Sequence, residues 1–172
     1  ANGQYIAPGL KSALEGVNIG DKKIYREFGE YLVLKHGPER LSEGMRIFAD
    51  ERKNTTSFMD KRAAELESAH PEFKEAADRL YEFQKQFLKT WAVDTGLLPS
   101  EVAEAWSKRW SFYVPLNRAV GKAGRIGAKR GYANQNSTVK KAIGSGLDIV
   151  HPVDNIINNI VKMVNAGVRN NV

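Results

Sequence analysis

A chain of 172 residues, 42% hydrophobic and 27% charged, has the make-up of an ordinary globular protein with one domain, or one domain and an arm. It contains no cysteine, which excludes a disulfide framework, a thiolate zinc site and a cysteine nucleophile. The net charge of +6 is unevenly placed: residues 1–114 carry 17 basic and 18 acidic side chains, whereas residues 115–172 carry 9 and 2.

Residues 1–20 hold Gly3, Pro8, Gly9, Gly16 and Gly20 and read as an N-terminal arm, with at most one helical turn near Leu10–Leu14. A helical core domain is expected over 21–114. Asp21 is placed as an N-cap, with Ile24, Phe28, Tyr31 and Leu32 on one helical face, and His36-Gly37-Pro38 reads as the stop. Pro38 then suits the first turn of a short second helix carrying Leu41, Met45 and Phe48. The polar run 50–56 is a loop, and Thr55 or Thr56 caps a segment with Met59, Ala63, Leu66 and Ala69 at helical spacing.

From Pro71 to Asp94 an apolar stripe of Phe73, Ala77, Leu80, Phe87, Leu88 and Trp91 predicts a helix of about six turns. Thr95-Gly96 stops it. Ser100 is expected to cap a helix with Val102, Trp106, Trp110 and Tyr113 on one face. Residues 115–146 form a basic, glycine-rich segment, read as extended or loosely ordered, with a short helix expected after Ser137. Residues 147–172 hold a last amphipathic helix, opened by His151-Pro152 and packing on the core or on a partner. No period-2 strand of useful length is visible. The expected class is all-α, an irregular bundle of about five or six helices, with Phe28, Tyr31, Phe73, Leu80, Phe87, Trp91, Trp106 and Trp110 in its core.

Few residues point to chemistry. Asp94-Thr95-Gly96 is the aspartic-protease tripeptide, but here it ends an amphipathic helix, where glycine is the usual cap. His36, His70 and His151 have no partner at helical ligand spacing, and two of them stand in His-Pro steps. The run Gly121-Lys122-Ala123-Gly124-Arg125-Ile126-Gly127 fits neither the phosphate-loop nor the dinucleotide pattern. Acidic residues over 60–104 alternate with lysine and arginine, as on a solvated face. No catalytic residue, metal ligand or cofactor is assigned. A hydrolase with an unidentified carboxylate pair is the third of three readings.

The basic segment carries the physical case for function. Arg118, Lys122, Arg125, Lys129, Arg130, Lys140 and Lys141 are seven basic residues with no acidic one among them. Counterion release would drive such a segment onto DNA or another polyanion without sequence preference. Tyr132 is its one aromatic, too little for a stacking platform. Solubility, or pairing with the acidic helix faces, is the alternative use of these charges.

In the last helix Val153, Ile156, Ile157, Ile160, Val161, Val164 and Val168 form a continuous stripe, opposite a mostly amide face of Asn155, Asn158, Asn159 and Asn165. Amides cost less to desolvate than charges, so this helix suits a protein contact. The stripe packs on the preceding helices, on a partner or another part of a longer chain, or on a second copy as a homo-oligomer. Lying in a membrane interface is a further use, for which Lys162 and Arg169 are too few to make a strongly basic face. No apolar run reaches the roughly 18 residues of a membrane span, and no signal-peptide layout opens the chain.

The order of short motifs resembles a family. His70-Pro71-Glu72-Phe73-Lys74-Glu75-Ala76-Ala77 leads through Leu80-Tyr81-Glu82-Phe83 to Asp94-Thr95-Gly96-Leu97-Leu98. Then follow Tyr113-Val114-Pro115-Leu116-Asn117-Arg118, Gly144-Ser145, His151-Pro152-Val153-Asp154-Asn155-Ile156-Ile157 and Arg169-Asn170. Over roughly 25–172 this is similar to a helical segment of the large polyvalent proteins of tailed phages and conjugative elements, in which helical modules alternate with effector domains. The resemblance implies an excerpt of a longer parent chain, carried in the particle and delivered with the DNA into the host cytoplasm. It also implies a linking or DNA-associated role, with other domains of the parent or a virion protein as partners. It supplies no catalytic residues. The leading expectation is therefore a non-catalytic module with DNA contact through Arg118–Lys141, and the alternative is a protein–protein scaffold using the 152–168 helix.

Overall fold

The computed structural model describes residues 9–117 and 149–170, and among them the regular structure is helical throughout. Six α-helices follow one another: α1 (Leu10–Ala13), α2 (Lys22–Leu41), α3 (Thr56–Ala69), α4 (Glu72–Leu88), α5 (Ser100–Arg109) and α6 (Pro152–Asn170). A 3-10 turn at Glu51–Lys53 precedes α3, and a π-helical turn at Lys89–Val93 continues α4. The all-α class agrees with the sequence pattern. No helix among the described residues is long and apolar enough to cross a membrane. The helix anticipated after Ser137 lies outside the described residues.

The starts of the helices follow from local chemistry. The Asp21 carboxylate accepts from the backbone N–H groups of Lys23 (2.7 Å) and Ile24 (3.1 Å), filling two of the donors a helix start leaves open. Those two bonds hold its carboxyl below the usual range. Thr55, not Thr56, caps α3 by accepting from Phe58 N–H at 3.2 Å. Ser100 is not a cap: it is the first residue of α5, the cap position is Pro99, and no side chain closes that end. Gly96 has φ +71° and accordingly terminates the turn after the π segment, as Asp94-Thr95-Gly96 suggests.

The largest departure lies in α2. His36-Gly37-Pro38 does not end it, and the helix runs on to Leu41 with Pro38 inside. The expected second helix is absent, and Met45–Phe48 is irregular backbone after a turn at Gly44 (φ +74°). Gly37 serves packing instead of capping. A Cβ there would overlap the thioether of Met59 on α3, a residue with no exposed surface. Gly29, two turns earlier, faces the imidazole of His151 in the same way. α2 thus receives α3 and the start of α6 at close range, and it also packs on α4.

Phe28, Tyr31, Phe73, Leu80 and Phe87 are buried, with Phe28 and Phe73 edge to face at 5.1 Å between ring centres. Met59, Leu32, Leu34, Ile47 and Val114 complete the centre. Ala13, Leu14 and Val17 are buried in the same core, where α1 lies against α4. Trp91, Trp106 and Trp110 depart from the expectation and are only half-buried. For Trp106 and Trp110 the reason is the course of α5: Ala103 is its buried residue, Val102 is exposed, and Trp110 lies past the last turn. Trp91 instead stands on the π-helical turn and packs against the edge of the core.

Gly29→Ala tests the close approach to α2. The helix-propensity gain of up to about 1 kcal/mol opposes an overpacking cost of about 1–3 kcal/mol. Net destabilisation in urea unfolding is expected, larger than for Gly37→Ala, where the flexible Met59 thioether can shift.

Candidate functional site

Three constructions bring distant residues together. The first is at the start of α6. His151 stacks on Tyr25 (3.7 Å between ring centres, 13° between planes), and its Nε2 lies 2.7 Å from the Tyr25 carbonyl. The Tyr25 hydroxyl donates to Asp154 at 2.7 Å. Burial depresses the His151 imidazole, and burial with the Asp154 hydrogen bond pushes the Tyr25 phenol up. His151 Nε2 and the Tyr25 hydroxyl thus hold α6 on α2, while His151 Nδ1 accepts from Val153 N–H (3.3 Å) at the start of α6 itself.

The second construction closes a loop. The side-chain amide of Asn155, 1% exposed, donates to the carbonyls of Pro115 (3.0 Å) and Val150 (2.9 Å), and Val150 N–H donates to the Asn117 carbonyl at 2.9 Å. The backbone on either side of 118–148 therefore meets at one place on the bundle. Asn155, expected on an outward amide face, is instead the knot of this junction.

The third lies at the end of α2. Glu39 accepts from Ser111 N–H (2.8 Å) and Phe112 N–H (3.3 Å) and pairs with His36 Nδ1 at 2.9 Å. Glu43 accepts from Arg109 Nε (2.6 Å), Trp110 Nε1 (3.1 Å) and Arg40 (3.3 Å). The guanidinium groups of Arg40 and Arg109 lie over the Trp110 ring at 5.4 and 5.3 Å. Two carboxylates one turn apart thus clamp the chain that leaves α5. His36, 1% exposed, has its imidazole held below the ordinary range by burial, against the opposing pull of Glu39. His70 is a further staple, its two ring nitrogens 3.0 Å from Glu27 and 3.4 Å from Glu72 and its ring stacked on Phe73.

These carboxylates and imidazoles are bonded to backbone and to one another, an arrangement that positions chain segments. Among the described residues no three His, Asp or Glu side chains are grouped to hold a metal ion.

Of the expected contact residues, Arg118, Lys122, Arg125, Lys129, Arg130, Lys140 and Lys141 lie outside the described residues. The stripe of α6 divides. Val153 and Ile156 are buried in the chain's own core, and Ile160 and Val164 are partly buried against it. Ile157, Val161 and Val168 stay 43–53% exposed. The clamp of Glu39 and Glu43 had no signal in the sequence, since its partners stand 66–73 residues away.

A cleft of about 90 Å³ opens between α4, the α5 region and α6, walled by Phe83, Phe87, Trp106, Trp110, Ile160 and Met163. Tyr81, Gln84, Lys85, Ser107 and Asn159 also line it. Gln84 is used internally, donating to the Tyr113 carbonyl at 3.0 Å.

The chain matches no protein-family profile, no curated protein and no solved structure.

The His36 clamp predicts a pH dependence. Because its folded-state pKa is depressed below the ordinary value of about 6.5, the unfolded chain binds the proton first as pH falls. Stability is then full above about pH 7 and declines as pH drops through 6.5 towards the folded-state value; His151 adds in the same sense. Urea unfolding from pH 8 to 5 should show this decline, and His36→Gln should flatten it while lowering stability overall.

Proposed function

We propose that this chain is a non-catalytic helical module of a phage or mobile-element multidomain protein, and that it meets the DNA backbone, without sequence preference, through Arg118, Lys122, Arg125, Lys129, Arg130, Lys140 and Lys141. The observation that carries this reading is where the charge resides. The described residues hold 19 basic and 19 acidic side chains, whereas residues 118–148 hold 7 and 1, so the whole net charge of +6 belongs to one stretch. That stretch is anchored at both ends by Asn117, Val150 and Asn155, next to one another on a bundle that is electrically neutral overall. A neutral body with one concentrated cationic stretch attracts a polyanion to that stretch alone. The setting this reading implies is a virion-borne chain delivered with the genome, with other domains of a parent protein or a virion protein beside it.

A second reading, a protein–protein scaffold, is favoured by a specific observation. Ile157, Val161 and Val168 are exposed on one side of α6, and the partly buried Val164 completes a 4-3-4 spacing, the seam of paired helices. Asn158 and Asn165 flank it with no charge to desolvate.

Binding of a labelled duplex of arbitrary sequence between 50 and 200 mM salt tests the first reading. Four to seven phosphate contacts give a log–log slope of roughly −4 to −6, reduced by about 3 on changing Arg125, Lys129 and Arg130 to Gln; absence of binding at low salt overturns it. For the second reading, concentration-dependent association in sedimentation should disappear in Val161→Glu with helical content unchanged.

A further inference from the structure

We propose that the cleft between α4, α5 and α6 binds a small unbranched aliphatic carboxylate, its tail against the aromatic wall and its acid at Lys85. This site is separate from the DNA reading and does not rest on it. Its walls are unusual for a domain interior, because two of the three tryptophans in the chain, Trp106 and Trp110, are left half-exposed on it instead of being buried. Phe87 is buried beneath, and Ile160 and Met163 of α6 close the far side. Such a surface gains by covering: apolar area removed from water is worth about 25 cal/mol per Å².

Size selects the tail. The cleft volume of about 90 Å³ is smaller than the roughly 150 Å³ apolar cavity that takes a benzene ring. It suits the end of an alkyl chain, with the remainder of the ligand lying along the open mouth.

Charge selects the head. Among the described residues Lys85 is the one charged residue lining the cleft, and no carboxylate lines it. Arg40 and Arg109, beside the cleft at Trp110, pair with Glu43 and already lie over the Trp110 ring. Lys85 is exposed, and no acidic side chain pairs with it among the described residues. Aromatic walls alone would attract a quaternary ammonium, but a lysine without a counter-charge at the rim opposes a cation and favours an anion. Ser107 and Asn159 supply further polar groups at the lining.

Three ligands with an unbranched chain of eight carbons, counting the acid carbon of octanoate, test this on the full chain: octanoate, 1-octanol and octyltrimethylammonium, followed by intrinsic tryptophan fluorescence. Saturable binding is expected in the order octanoate, octanol, octyltrimethylammonium. Lys85→Gln, a change at an exposed helix position, should lower octanoate affinity about two- to fivefold, the worth of an exposed ion pair, and leave octanol unchanged. Ser107→Leu, which places an apolar side chain in the cleft, should abolish the response to all three with the helical circular dichroism intact. Absence of a saturable response to octanoate, equal binding of the cation, an unchanged octanoate affinity in Lys85→Gln, or full binding by folded Ser107→Leu would each overturn the proposal.

Discussion

The bundle depends on how closely other elements reach the backbone of α2. Two positions on this helix lack a side chain, and each is filled from outside: His151 enters at Gly29 and Met59 at Gly37. Interiors pack at near-crystalline density, so a surface that admits a ring or a thioether at backbone distance fixes its neighbour's position within a fraction of an ångström. The stack of His151 on Tyr25 sets where α6 begins. From that point Ile156, Ile160 and Met163 reach the far wall of the aromatic cleft. The geometry of the cleft is therefore inherited from a glycine on a helix that does not line it.

Apolar burial organises the helices, and polar side chains organise the chain between them. Asn54 shows the division. Its carbonyl oxygen accepts from Ile47 N–H (2.8 Å) and Phe48 N–H (2.9 Å), and its amide donates to the carbonyls of Phe48 (2.8 Å) and Asp50 (3.2 Å). One side chain thus replaces the hydrogen bonds that irregular backbone lacks. Glu39 does the same for Ser111 and Phe112, and Asn155 for Pro115 and Val150. Buried backbone groups need partners, and each of these loops finds them in a residue distant in sequence or at the loop's own end.

That division also explains what was legible in the sequence. Asp21, Thr55 and Gly96 were readable because a cap acts within three or four residues of itself. The stripe of Phe73, Leu80 and Phe87 was readable because helical periodicity is local. Gly37-Pro38 misleads because its local reading, a stop, competes with a contact to Met59, 22 positions on, that no spacing rule reveals. Trp106 and Trp110 mislead for a related reason: aromatic residues at helical spacing signal an apolar face, yet α5 ends at Arg109 and leaves the second indole on extended backbone. The charge asymmetry was plain from composition. The clamp at Glu39 and Glu43 and the cleft were not, since both consist of contacts between segments that only the folded chain brings together.

The junction of Asn117, Val150 and Asn155 has a consequence for how such a chain can change over time. Where a chain departs and returns at adjacent backbone positions, the contacts that join its two ends do not depend on how many residues lie between them. The Asn117 carbonyl, the Val150 N–H and the Asn155 amide join the two flanks with bonds of their own, so a change of length between Asn117 and Ile149 leaves in place the partners that bring the start of α6 back beside the end of the 111–117 stretch of chain.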